Sequence, residues 1–180
     1  MIHIHATKKL LNTGRLKGDL LVTRQDDGQL MHNWYATLSP SGFAGKSFVM
    51  YMHDPSLLVV LTHGRTIKST HHEFILRLSW LLERSGFPPE FKNREIMAAD
   101  EYVVGKTNSR SLLGHMNDMQ FNLDHYFLQY EHYDHIDLDR IEDLLMDHIH
   151  HGKGHTLYSR PITYWEGMLQ IKLKQLRPDE

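Results

Sequence analysis

The sequence predicts an α+β fold, an antiparallel sheet of about four to five strands with helices packed on one face. Three observations predict it. Between His32 and Gly64 lie three β-type segments joined by short connectors rich in Gly, Pro and Asp, the pattern of an antiparallel meander. From Ser69 onward apolar residues recur at helical spacing. No repeat and no low-complexity linker divides the 180 residues, which form one domain spanning 1–180; about 100–200 residues is an ordinary domain length.

The elements follow in chain order. "MIHIHA" alternates, so it is strand-like, with His3 and His5 on one face and Ile2 and Ile4 on the other. "TKKLLNTGRL" predicts a short helix capped at Thr7 and stopped at Gly14. Asp27-Gly28 marks a turn. Strands follow at "HNWYATLS", "KSFVMYMHD" and "SLLVVLTHG". The segment "STHHEFILRLSWLLERSGF" has helical spacing at Phe74, Leu78, Leu81 and Leu82; Thr70 and Glu73 suggest a capping box, and the helix ends near Gly86. A short helix with Pro in its first turn follows at "PPEFKNREIMAA", then a strand at "DEYVVGKT" and a long helix at "NSRSLLGHMNDMQFNLDHYFLQY". Further helices are expected from Asp137 to Gly152 and from Pro161.

Composition excludes several function classes. With no cysteine there is no disulfide, no thiolate chemistry and no Cys-ligated zinc or iron–sulfur cluster. The formal net charge of -2 means that nucleic-acid binding would depend on a local patch. The N-terminus lacks a signal-peptide pattern, and no segment reaches the ~18 consecutive apolar residues of a membrane span. A cytoplasmic location is the expectation. The 15 histidines make the net charge sensitive to pH near the histidine range.

The residues richest in chemistry run from Gly105 to Asp118, "GKTNSRSLLGHMND". Thr107 or Asn108 is placed to cap the long helix. The first turn of a helix leaves N–H groups unpaired and carries partial positive charge. Lys106 and Arg110 add two cations there, against the dipole, which is favourable where an anion sits between them. The glycine spacing of a P-loop is absent. Along the helix Leu112, Met116, Met119, Leu123 and Phe127 share one side; Arg110, Asn117, Asp118, Asp124 and His125 share the other. Gly114 leaves a notch on the polar side, open to a ligand or to another chain segment. The bland alternative is a brace, in which Arg110 and Asp118 pair with neighbours. Arg110 and His115 also match the Arg-x4-His spacing of some helical HEPN-class ribonucleases, although a helical wheel sets them roughly 140° apart.

Taken with "ATKKLL", "NWYA" and "FVMYMHDPSLLVVL", this box resembles a family of uncharacterised bacterial proteins, catalogued as a domain of unknown function. The box reads Lys106-Thr107-Asn108-x-Arg110-Ser111-x-x-Gly114-x-Met116-Asn117-Asp118. The likeness spans most of residues 1–130. It implies motif positions at Thr7, Lys8, Trp34, Lys106, Asn108, Arg110, Asn117 and Asp118, and it implies no mechanism. Members of that family usually have a small residue where this chain has His115, and their first strand need not carry His3 or His5.

Other constellations are weaker. His148 and His151 are i, i+3 at a helix end and, with His155 or Asp147, would suit a divalent metal such as zinc, yet no named zinc motif is present and none of the motifs requires a metal. A polar helix end in water is the plainer reading. "HIHAT" holds half of a two-histidine phosphoesterase signature without its second half. Trp34 is read as a buried anchor or, alternatively, as a stacking platform for a base.

The function expected from the sequence is binding of a small phosphate-bearing ligand, a nucleotide, or RNA. Lys106 and Arg110 hold the anion, with Thr7, Lys8 and Trp34 as further contacts, and Asn108 and Ser111 hydrogen-bond it. If the protein is an enzyme, phosphodiester cleavage through Asp118, Asn117 and His115 is the reaction to test. The alternatives are a non-enzymatic interaction module, whose box is a brace, and a His-ligated metal-binding protein.

Overall fold

The fold is α+β, with a mixed five-stranded sheet between two layers of helices. The structure, a computed structural model, describes residues 1–16 and 32–147. The elements in order are β1 (Ile2–Ala6), α1 (Lys8–Thr13), β2 (Asn33–Pro40), β3 (Ser47–His53), β4 (Val59–His63), α2 (Ile67–Arg84), α3 (Pro89–Ala99), β5 (Tyr102–Lys106), α4 (Arg110–Phe127) and α5 (Leu138–Met146), with a 3-10 turn at Tyr133–His135. The expected turn at Asp27-Gly28, the end of the helix after Met146 and the helix from Pro161 lie outside the described residues.

The expected meander is present: β2, β3 and β4 pair antiparallel. The sheet is nonetheless not purely antiparallel. Its order is β4-β3-β2-β1-β5, and β1 pairs parallel with both β2 and β5. Parallel neighbours need a crossover of a dozen or more residues. Residues 7–32, which include α1, provide one, and the chain from β2 to β5 is far longer. All five residues of β1 are buried, as is usual for a parallel strand covered on both faces. The face that carries His3 and His5 is covered, as is the face that carries Ile2 and Ile4.

Helices pack on both faces, not on one. Ile2, Ile4, Trp34, Ala36, Val49, Tyr51 and Val60 form one core with Leu10 and Leu11 of α1, with α2 (Phe74, Leu78, Leu81, Leu82) and with Phe91 of α3. Tyr35, Phe48, Met50, Met52, Val59 and Leu61 form the other, beneath Leu112, Met116, Met119, Leu123 and Phe127 of α4 and Ile141 and Leu145 of α5. The apolar stripe predicted along α4 is therefore the one it buries.

The outer edge of β4 is closed by charge. Arg77 and Arg84 of α2 meet Asp139, Glu142 and Asp143 of α5 around it. Glu142, fully buried, takes Arg77 Nε–H at 3.0 Å, an Arg84 NH2 donor at 2.7 Å and the Leu61 N–H at 2.8 Å. An edge strand offers unpaired N–H groups, and here a carboxylate accepts one. The helix caps differ from expectation as well. Thr66 caps α2, accepting from Ser69 N–H at 3.2 Å. Thr70 is buried and hydrogen-bonded to Tyr51 Oη at 2.7 Å, and Glu73 turns to His63, accepting its backbone N–H at 3.0 Å. Gly64, between β4 and α2, has φ +147°, and an added Cβ would lie 2.7 Å from Thr70 Cγ2, so only glycine fits.

Candidate functional site

Three adjacent strands, β5, β1 and β2, run parallel, so their C-terminal ends share one edge of the sheet. At that edge β1 passes into α1 on one face, while β5 passes into α4 on the other. Neighbouring parallel strands whose connections leave to opposite faces open a crevice between them, the usual place for a ligand in open α/β sheets. Pairing runs to the last residue: Ala6 is in register with Lys106, Thr107 N–H donates to Ala6 O at 3.2 Å and Thr7 N–H donates to Ala36 O at 2.9 Å.

Thr7, Lys8, Lys106, Asn108, Arg110 and Ser111, far apart in sequence, all lie at this edge. Strand alternation sets Lys106 on the side of Tyr102 and Val104, which pack with the α1–α2 core. Arg110 opens α4 on the opposite side. The two cations thus flank the sheet edge instead of standing together at one helix mouth. Lys8, Lys106, Arg110 and Ser111 are exposed, and among the described residues none of the three cations is ion-paired. The first turn of α4 contains no acid.

Ser109, not Thr107 or Asn108, caps α4, accepting from Leu112 N–H at 3.3 Å. Asn108 is engaged from below: Tyr35 Oη–H donates to its Oδ1 at 2.6 Å. That length suits O–H···O and is short for N–H···O. The Asn108 amide NH2 is consequently directed away from Tyr35. Thr7 Oγ1–H donates to Thr37 Oγ1 at 3.2 Å. Beneath, the His5 ring stacks on Tyr35 with centroids 4.8 Å apart. Burial holds His5 below the ordinary histidine range, against hydrogen bonding to Asn33 and the Lys106 backbone, which pulls the other way. His3, on the same face, is buried too.

The remaining predicted positions are elsewhere. Trp34 is fully buried, edge-on to Phe74 at 5.0 Å, so it is the anchor of the α1–α2 core. Asn117 and Asp118 are exposed on α4, about 10–12 Å along the axis from Arg110. His115 is half-buried on the same helix. Nothing lies within 4 Å of a Cβ added at Gly114, so no described chain segment fills that notch. His148, His151 and His155 lie outside the described residues. Among the described residues no group of three or more His, Asp or Glu side chains is arranged to hold a metal ion.

Two features escaped sequence reasoning. One is Tyr35, which links His5 to Asn108; its only signal was that it faces away from Trp34 on one strand. The other is Glu142, which sits beside Leu138, Ile141, Leu145 and Met146 on the apolar stripe of α5. A carboxylate on an apolar stripe was the legible sign of a buried ionic contact.

A family model described as Domain of unknown function (DUF6933) matches residues 3–164. No curated protein matches the chain. Among the described residues no helix is long and apolar enough to cross a membrane.

Proposed function

We propose a function for this chain, which belongs to the family of unknown function DUF6933. The protein binds a phosphate-bearing ligand, a nucleotide or a short stretch of RNA, at the C-terminal edge of β5, β1 and β2, and works in the cytoplasm. The observation that carries this reading is that, among the described residues, the edge presents donors with no acid paired to them. Lys8, Lys106 and Arg110 are exposed and not ion-paired among the described residues. Among the described residues the Arg110 and Ser111 N–H groups in the first turn of α4 have no hydrogen-bond partner, and Asn108 turns its amide NH2 away from Tyr35. An acceptor-rich anion satisfies all of these. The box from Lys106 to Asp118, with Thr7 and Lys8, would then be the motif of a bacterial family for ligand-binding reasons. Phosphodiester cleavage is the first reaction to assay, with Asp118, Asn117 and His115 of α4 in reach of a ligand extending along the helix.

The test is calorimetric titration with inorganic phosphate, AMP and a short single-stranded RNA at low and high salt. Binding that weakens with salt, and that Lys106→Ala and Arg110→Ala each reduce at least tenfold without lowering the melting temperature, supports the reading. No binding by any of the three probes at low salt rejects it.

A second reading has its own observation. The Tyr35–Asn108 hydrogen bond ties the loop before α4 to β2, as a brace would. In that case Asn108→Ala lowers stability and changes no binding.

A further inference from the structure

We propose that the cleft between the β2–β3 loop and the C-terminal half of α4 binds a small organic cation, a quaternary or N-alkylated ammonium group. The cleft is about 670 Å³, and its walls include Pro40, Phe43, Phe121, Asp124, Phe127 and Tyr130. That volume is within the ~300–1,000 Å³ of small-molecule sites. Aromatic rings present a negative face, and a desolvated alkylammonium placed against such faces is held by cation–π attraction. Asp124 adds a full negative charge and has no ion-pair partner among the described residues. Among the described residues no Lys or Arg lines the cleft to compete for it, and the basic side chain there is His125.

Phe127 belongs to the core beneath α4, and Phe43 and Tyr130 pack against it, but among the described residues nothing buries the outer part of the wall. Phe121 is 78% exposed, and beside it Leu128 is 83% exposed; side chains of that size left in water point to an occupant. The opposite wall is built in advance. Ser41, buried, accepts the Phe43 N–H at 3.2 Å and donates to Lys46 O at 3.0 Å. Gly42 next to it has φ +77°, which a side chain rarely adopts. This turn holds Phe43, whose ring meets Tyr133 edge-on at 6.2 Å. Tyr130 brings a hydroxyl that is buried and has no hydrogen-bond partner among the described residues. A neutral arene would fill the volume and leave Asp124 without a counter-charge; a cation with an apolar body uses both. The site is separate from the anion edge, since Phe121 is eleven residues, about 16 Å along the helix, beyond Arg110.

The test uses the full chain, titrated calorimetrically with choline and with its uncharged isostere 3,3-dimethylbutan-1-ol, alongside Asp124→Asn, Phe121→Ala and Phe43→Ala. Sedimentation measures the oligomeric state of each. Choline is expected to bind at least tenfold more tightly than the alcohol. Asp124→Asn is expected to remove that preference, and Phe121→Ala to weaken choline about tenfold with an unchanged melting temperature. Equal affinity for the two probes, or binding of neither, overturns the proposal. So does a dimer in solution that Phe121→Ala dissociates, because the occupant would then be a second copy of the chain.

Discussion

At the scale of single residues, the hydroxyl of Tyr35 is the most informative atom at the candidate site. It orients Asn108, and nothing else among the described hydrogen bonds does so. Tyr35→Phe keeps the ring that stacks on His5 and removes that bond. Urea denaturation should show a loss of about 0.5–1.5 kcal/mol. Phosphate affinity should fall as well if the Asn108 amide serves a ligand. Gly114 offers a complementary measurement. Its helix position costs about 1 kcal/mol relative to alanine, and the space beside it is open. Gly114→Ala should therefore raise stability by about that amount. A fall in stability instead would mean that a chain segment packs there. The sequence singled out Gly114 as a notch and Asn108 as a cap or ligand contact, but not what each faces. Helical and strand periodicity report the side of an element, whereas a contact such as Tyr35 to Asn108 joins residues 73 apart.

Elements were legible where their pattern is local. The apolar stripe of α4 and the three meander strands follow from spacing alone. Caps were displaced by a few residues because several neighbouring side chains can accept the same N–H, and tertiary partners decide which is free to do so. Ser109 caps α4 while Asn108 is held by Tyr35; Ser109→Ala should cost about 1 kcal/mol in thermal unfolding. The partners in the ionic clasp between α2 and α5 were not legible, since they are 58 to 65 residues apart. Glu142→Ala would leave Arg77, itself buried, without its buried acceptor, and Leu61 N–H without a partner. Breaking such a buried pair should cost about 3 kcal/mol or more by denaturant titration. A loss below about 1 kcal/mol would mean that Asp139 and Asp143 suffice to neutralise both arginines.

For the whole molecule, the histidines set the response to acid. Burial lowers His5 and His71 below the ordinary histidine value of 6.5. In the unfolded chain both take up protons near pH 6.5; in the folded chain they do so only at lower pH. Their contribution to stability is accordingly complete above pH 6.5 and is lost as pH falls through their folded values. Glu142 opposes this at lower pH. Burial raises it above 4.5 despite Arg77 and Arg84, so its share is complete below 4.5 and is lost as pH rises through its folded value. Urea midpoints measured from pH 8 to pH 5 should decline below about pH 6.5, and His5→Asn combined with His71→Asn should flatten the decline.

The sequence by itself determined which segments are strands and helices, because the periods of two and 3.6 are set by backbone geometry and are written in local order. It also determined the absence of every cysteine-based chemistry. Only the tertiary structure decided that β1 lies parallel between β2 and β5, that helices cover both faces, and that Thr7, Lys8, Lys106 and Arg110 share one edge. Strand neighbours and helix layers are chosen by which apolar faces bury one another most completely across the chain. That choice depends on sums over distant residues, which no local pattern records.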